Sequence, residues 1–256
     1  MTVERSSAGD PARTLALLWR DPDAVPRRGP RRGLDLDGVV DAAVDLADRE
    51  GLAAVTMRRI AQDLGIAPMS VYTYVPGKAE LLDLMLDAAY SRMPRTVAPE
   101  ASWRARVRAV ADENRALFRD HPWVIGVSTL RPPLGPGAIA KYEHELSALD
   151  GQGLTDVEMD DCLSYLLGFV QANARAAADA ASIRGESAMD DEQWWEQAGP
   201  ALARFVDDSR YPLATRVGTA AGTEHNAAHD ADHAYRFGLQ RVLDGLAALI
   251  EPARTP

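Results

Sequence analysis

Apolar residues recur every three to four positions along most of the chain from Leu34 onward, a spacing typical of amphipathic helices. In the first part, Asp35 and Thr56 are predicted N-caps, and Gly51 is a predicted helix stop. The pattern predicts helices at about residues 35–51, 56–65, 68–75 and 77–93. Residues 1–33 show no such periodicity, so we expect a flexible arm there and a first helical unit over residues 34–93.

The helical pattern resumes over residues 94–256 as a second, larger unit. Its strongest start signal is Thr155 followed three positions later by Glu158, a capping box. Helices are predicted at about residues 103–121, 139–149, 155–181, 192–206 and 237–250, with a loop over 126–137 and an acidic, Gly-containing stretch over 207–230. No alternating strand pattern competes with them. The expected fold class is therefore all-α.

Composition narrows the compartment and the kind of protein. The chain has 256 residues, a net charge of −10 and one cysteine, Cys162, which rules out an internal disulfide framework. No segment approaches the ~20 apolar residues of a membrane span. We therefore expect a cytoplasmic protein with no membrane partner. The acidity lies mainly after residue 95, so the first unit is close to neutral and carries no repulsive field against nucleic acid.

Residues 56–75 carry the most informative motif, two short helices joined at Gly65. A glycine at that turn and the small Ala61 suit a helix-turn-helix, whose second helix enters the major groove of DNA. The positions predicted to face outward are Pro68, Met69, Ser70, Tyr72, Thr73 and Tyr74. Lys78 begins the next helix, where an ammonium suits a phosphate. A helical hairpin with no DNA role is the alternative interpretation.

Residues 33–93 resemble the tetracycline-repressor (TetR) family of bacterial transcription regulators. The resemblance rests on Ala42-Ala43, Gly51, residues 56–61 and 64–66, and the run from Val71 through Leu82. Three departures from the usual pattern are present: Val75 replaces Phe, Ala67 replaces a capping Ser or Thr, and Pro76-Gly77 replaces a polar pair. Residues 131–136 and 237–246 are similar to the C-terminal domain of the tetracycline-repressor branch.

The resemblance implies an N-terminal three-helix DNA-binding domain over residues 34–93, followed by a helical ligand-binding and dimerisation domain over 94–256. It implies a homodimer that binds a palindromic operator and is released by a small-molecule effector, with no cofactor and no enzymatic activity. We expect a repressor, although activation is left open. The expected DNA-binding residues are Arg31, Arg32, Thr56, Arg58, Pro68, Met69, Ser70, Tyr72, Thr73, Tyr74 and Lys78.

Arginines 27, 28, 31 and 32 precede the first helix. These arginines could bind DNA phosphates or enter the minor groove, as N-terminal arms do in other proteins. The alternative is a solvated tail with no DNA contact. The effector pocket is expected among the middle helices. The candidate lining residues are Phe118, His121, Trp123, Tyr142, Tyr165, Phe169, Asn173, Trp194 and Trp195. Each of them could instead be an ordinary core residue. The magnesium-binding histidine of the tetracycline repressor is absent before Arg131-Pro132, so a magnesium–tetracycline complex bound in that manner is not expected.

A second hypothesis concerns His225, His229 and His233, spaced four residues apart. On a helix they would share one face and could bind zinc or nickel, giving a metal-binding or metal-sensing protein. The alternative is an exposed lead-in to the last helix. No P-loop, nucleophile elbow or zinc-protease motif is present in the sequence, so enzyme chemistry is not expected.

Overall fold

The computed structural model describes residues 4–22, 34–96, 98, 100–186, 191–225 and 230–251, with the backbone alone for residues 183–186, 191 and 225. Within these ranges the fold is helical, apart from one pair of two-residue parallel strands. The elements are β1 (Glu4–Arg5), α1 (Pro11–Leu18), α2 (Leu36–Glu50), α3 (Met57–Asp63), α4 (Pro68–Val71), α5 (Lys78–Arg92), α6 (Trp103–Asp120), β2 (Val127–Ser128), α7 (Pro136–Ser147), α8 (Asp156–Glu186), α9 (Asp191–Ala203), α10 (Pro212–His225) and α11 (Ala231–Ile250). Short 3₁₀ turns lie at Leu52–Ala54 and Pro122–Gly126. No helix in the described ranges is long and apolar enough to cross a membrane.

Helices α2 to α5 form the head of the molecule, and the predicted caps explain where they begin. The Asp35 carboxylate accepts the backbone N–H of Gly38 at 2.9 Å, and the Thr56 hydroxyl accepts that of Arg59 at 3.2 Å. Gly51 ends α2 with a φ of 82°, a conformation that costs glycine little. The all-α fold and these boundaries are confirmed.

The second core lies between α6, α8 and α11, whose apolar faces are buried against one another. The predicted capping box is present: the Thr155 backbone N–H donates to Glu158 Oε2 at 2.8 Å, and the Glu158 N–H donates to Thr155 Oγ1 at 3.3 Å. This box begins the longest described helix, α8. At the start of α11, the Asp230 carboxylate accepts two backbone N–H groups.

Helix α7 packs against α5 of the head through a close backbone contact. Asp87 of α5 accepts the Ala138 N–H at the first turn of α7, at 2.8 Å. A side chain at Gly137 would overlap the backbone oxygen of Asp87 and the hydroxyl of Ser91. Glycine is therefore required for the two helices to approach this closely.

One prediction about an irregular segment is wrong. The flexible arm expected over residues 1–33 does not hold for residues 4–22, because β1 pairs with β2 and Leu17 and Leu18 of α1 are buried in the core of the head. The stretch over residues 207–230, for which no helix was predicted, contains α10. α1 has only eight residues, too few for the spacing of its apolar positions to identify it from the sequence alone.

Replacing Gly137 with Ala should lower the free energy of unfolding by about 1–3 kcal/mol, the usual cost of overpacking a closed interface. Urea unfolding followed by circular dichroism measures this. Gly218, in α10, is the matched control because a Cβ there meets no atom within 4 Å. Gly218→Ala should cause no loss of stability. If Gly137→Ala and Gly218→Ala are equally stable, the close packing of α5 on α7 is contradicted.

Candidate nucleic-acid interface and effector cavity

The turn between α3 and α4 has the geometry that the motif requires. Gly65 has a φ of 63°, and the Ile66 N–H donates to the Ala61 carbonyl at 2.9 Å. Ala61, Ile60 and Val71 are fully buried where the two helices meet. The opposite face of the pair is thereby held outward as one rigid surface.

Most of the residues predicted to contact DNA lie on that outward surface. Thr56, Arg58, Pro68, Met69, Tyr72 and Thr73 are exposed, and Ser70 is half-buried. Met69 is 75% exposed. We call this set, with Ser70, the recognition surface.

Tyr74 does not belong to the recognition surface, and its predicted DNA contact is corrected. It is 1% exposed, and its hydroxyl donates to the Leu34 carbonyl at 3.3 Å. Burial, and secondarily the negative charge of Asp35, raise the pKa of this phenol. Tyr74 therefore holds the chain entering α2 against the turn that follows α4.

The cations of the head differ in whether they are already neutralised. Arg59 pairs with Glu50 and Asp63, Arg49 with Asp63, and Arg92 with Asp41. Lys78 pairs with Glu4 of β1 at 2.7 Å. In the described part of residues 34–93, Arg58 alone has no carboxylate partner, and it lies on the recognition surface. Arg31 and Arg32 lie outside the described residues.

The larger cavity, of about 870 Å³, lies between α7, α8 and the loop that contains β2. That volume is in the range that holds a drug-sized molecule. A second cavity of about 90 Å³ adjoins it, and six residues line both cavities and form the wall that they share. These six are Tyr90, Val127, Thr129, Lys141, Leu167 and Gln171.

The shared wall carries mainly hydrogen-bond donors. The Lys141 ammonium pairs with the buried Glu145 carboxylate at 2.6 Å, and Glu145 also accepts the Asn114 amide at 2.5 Å. The Tyr90 hydroxyl has no hydrogen-bond partner within the described chain. Burial, with the nearby charges of Glu145 and Asp87, raises the pKa of Tyr90, so the phenol stays protonated.

The predicted pocket residues divide into three groups. Tyr142 lines the larger cavity and donates to Asp160 at 2.7 Å, and Phe118 lines the smaller one. Tyr165 and Trp194 are exposed and, like Trp195, line neither cavity. The other four, His121, Trp123, Phe169 and Asn173, have structural partners instead.

His121 and Trp123 both bond to Asp48 of α2, at 2.9 and 2.8 Å, and so join α2 of the head to the turn after α6. Phe169 stacks on Tyr235, and the Asn173 amide donates to the Ala231 carbonyl at 3.2 Å. These four residues therefore hold segments of the chain together and line neither of the two cavities. The sequence placed them among the middle helices but could not indicate which neighbours each side chain contacts.

Sequence reasoning missed Tyr90, Lys141, Glu145, Gln171 and Arg175 as cavity residues. One available signal was the pair at positions 141 and 145, a Lys and a Glu four residues apart on an otherwise apolar helix face. Arg175, in the middle of α8, donates to the Ile125 carbonyl at 2.7 Å. Only the packing of α7 on α8 shows that these polar groups meet in one cavity.

The predicted histidine cluster gains no support. The side chain of His225 and the whole of His229 lie outside the described residues, and His233 stacks on Phe237. A search of the described residues finds no group of three or more metal-ligating side chains.

The structural role of Tyr74 gives a direct contrast with Tyr72. Tyr74→Phe should lower the free energy of unfolding by about 0.5–1.5 kcal/mol, because a partly buried hydrogen bond is lost. Tyr72→Phe removes an exposed hydroxyl and should leave stability within about 0.5 kcal/mol. Urea unfolding of both variants measures the difference, and a stability loss in Tyr72→Phe alone would contradict the assignment.

Comparison with known proteins agrees with this geometry. Residues 39–85 match the family described as bacterial regulatory proteins, tetR family, and residues 96–250 match the tetracyclin repressor-like C-terminal domain. The HTH-type transcriptional repressor DrrR1 of Streptomyces coeruleorubidus is 42% identical over 255 residues, which is 99% of this chain and 92% of the relative. An HTH-type transcriptional regulator of Saccharopolyspora erythraea is 31% identical over 90% of this chain and 91% of its own.

Solved structures share the fold. ActR of Streptomyces coelicolor, without ligand, superposes with a TM-score of 0.69 at 25% identity, over 87% of this chain and 99% of ActR. ActR in complex with actinorhodin gives 0.65 at 26% identity, over 85% and 97% of the two chains. Because the sequence matches run from the head to the last helix, and one relative is similar over nearly the whole length, the chain belongs to the TetR family of bacterial regulatory proteins.

Proposed function

We propose that this protein is a ligand-responsive transcriptional repressor that binds a palindromic operator as a homodimer in the cytoplasm. The observation that carries the proposal is the recognition surface, where Arg58 is unpaired on a head whose other described cations are neutralised. The named relatives are transcriptional regulators, which supports regulation and not catalysis. Neither the described residues nor the relatives support the metal-sensing alternative.

Arg58 and the hydroxyls of the recognition surface suit complementary tasks on DNA. A guanidinium binds a phosphate or the edge of guanine, while Ser, Thr and Tyr hydroxyls bond to phosphates or bases. Met69 offers an apolar surface suited to a thymine methyl group. The short α4 would lie in the major groove, and α3 would cross the sugar-phosphate backbone of the DNA.

An exposed apolar face on α8 and α11 supports the homodimer. Val157 and Tyr165 of α8 are 71% and 64% exposed, and Phe237 and Leu249 of α11 are 58% and 55% exposed. A two-fold interface buries the same patch on both copies. It would place two recognition surfaces on successive turns of one face of the duplex.

The chemistry of the cavity supports an effector that is rich in acceptor oxygens. Lys141, Tyr90, Thr129 and Gln171 present donors on the shared wall, while the Glu145 carboxylate already accepts two hydrogen bonds. Apolar residues such as Leu163, Leu167 and Ile139 line the remainder. We therefore propose an effector similar to actinorhodin, the ligand in one ActR structure.

The route from cavity to head runs through α7. Lys141 and Glu145 of α7 line the cavity, and the first turn of the same helix binds Asp87 of α5. A ligand that shifts α7 must therefore move α5 and the recognition surface with it. By thermodynamic linkage, effector and operator then weaken each other's binding by the same factor.

Operator binding tests the proposal. Random duplexes enriched on the full-length protein should yield an inverted repeat. Arg58→Gln should weaken binding to that sequence at least about tenfold, because each arginine contact contributes roughly 1–3 kcal/mol and a dimer makes two. Fluorescence anisotropy across a salt series measures this.

Arg49→Gln is the matched control, because Arg49 is already paired with Asp63 and does not belong to the recognition surface. It should leave operator affinity nearly unchanged. If no inverted repeat is enriched, the proposed function is contradicted. If both variants lose the same operator affinity, the role of Arg58 is contradicted.

Actinorhodin is the probe for the cavity. We expect it to bind the wild-type protein, and Tyr90→Phe to weaken binding about 2- to 13-fold, the value of one neutral hydrogen bond. The fold should be unaffected, since that hydroxyl has no protein partner in the described ranges. Tyr165→Phe is the control, because Tyr165 lines neither cavity. Quenching of tryptophan fluorescence measures binding, and no binding to wild type would refute the proposed effector class.

A further inference from the structure

Residues 4–22, here called the N-terminal strap, bind the wall of the effector cavity. β1 pairs in parallel with β2, with Glu4 opposite Val127 and Arg5 opposite Ser128. The buried Ser6 hydroxyl donates to the carbonyls of Ser128 and Arg131, at 3.2 and 2.5 Å. Since Val127 and Ser128 line the larger cavity, the strap is bonded directly to its wall.

The other side of the strap is bonded to the head. The Ser7 N–H donates to Asp83 of α5 at 2.8 Å, although Ser7 must adopt a positive φ of 53° to do so. Arg20 pairs with Asp37 of α2, and α1 packs on α5. One short segment thus contacts both the cavity wall and the DNA-binding head.

The contact of greatest consequence is the ion pair between Glu4 and Lys78. Lys78 opens α5, and its side chain remains 38% exposed beside that of Glu4, which is 43% exposed. Lysine at this position was expected to bind a DNA phosphate. A carboxylate 2.7 Å from the ammonium occupies the place that a phosphate oxygen would take, and it repels that phosphate.

We propose that Glu4 is an autoinhibitory residue that competes with operator phosphate for Lys78. The pairing of β1 with β2 fixes the position of Glu4 relative to the cavity wall, so a change in that wall alters the competition. Ser6 is then a positioning residue that acts through Glu4. The inference rests on the proposed DNA-binding function and assigns a regulatory role to the strap.

The expected gain in DNA affinity follows from the solvent exposure of the Glu4–Lys78 ion pair. Releasing an exposed ion pair should strengthen DNA binding about 1.4- to 5-fold per protomer, and by the square of that factor for a dimer. Each freed Lys78 that neutralises one phosphate should also steepen the salt dependence, by about 0.9 in the slope of log K against log salt.

A double-mutant cycle on the full-length protein tests the competition. Glu4→Gln, Lys78→Met and the double variant are titrated by anisotropy with a random-sequence 30-bp duplex and with the selected operator. Glu4→Gln should raise the affinity and steepen the salt slope, and both effects should vanish when Lys78 is Met. Glu143→Gln is the control, because it removes one exposed negative charge that belongs neither to the strap nor to the recognition surface.

Ser6→Ala tests the link to the cavity wall. It should raise DNA affinity in the direction of Glu4→Gln, and it should have no further effect in the Glu4→Gln background. No gain for Glu4→Gln, a gain that persists in Lys78→Met, or one matched by Glu143→Gln would overturn the proposal. If the Glu4 effect appears on random duplex while no operator can be selected, the repressor function fails and the competition stands.

Discussion

Two buried carboxylates on α5 set the relation between the two halves of this molecule. Asp83 and Asp87 lie one turn apart, and burial raises the pKa of both, against the opposing effect of backbone N–H groups. A buried carboxylate is costly unless hydrogen bonds compensate it. Asp83 accepts a hydrogen bond from the backbone N–H of Ser7 in the strap, and Asp87 accepts one from the backbone N–H of Ala138 in the first turn of α7. The strap and α7 therefore both stabilise the position of α5.

This constraint explains how a cavity can influence a surface that it does not touch. α7 forms one wall of the cavity, the strap is bonded to another, and both meet on α5. α5 in turn packs on α2 of the head. A close-packed junction of this kind transmits a displacement, because its interior has little free volume to absorb one.

The electrostatics of the head make its DNA affinity depend on few residues. The body of the protein is acidic, and the paired arginines 49, 59 and 92 add no net attraction for DNA. Arg58, and Lys78 once it is released from Glu4, would therefore supply a large share of the phosphate attraction available from the described head. With so few charges, a single carboxylate such as Glu4 can change the affinity measurably.

The sequence by itself determined the helices of the head, their caps at Asp35 and Thr56, the capping box at Thr155 and the family, because these depend on residues a few positions apart. It predicted Tyr74 as a surface residue, because the helix expected over residues 68–75 ends at Val71, and Tyr74 lies in the turn that follows it. Only the tertiary structure decided that Tyr90 and Lys141 share a cavity and that Glu4 reaches Lys78. Those groups lie far apart in the chain, and the packing of α5, α7 and β2 brings them together.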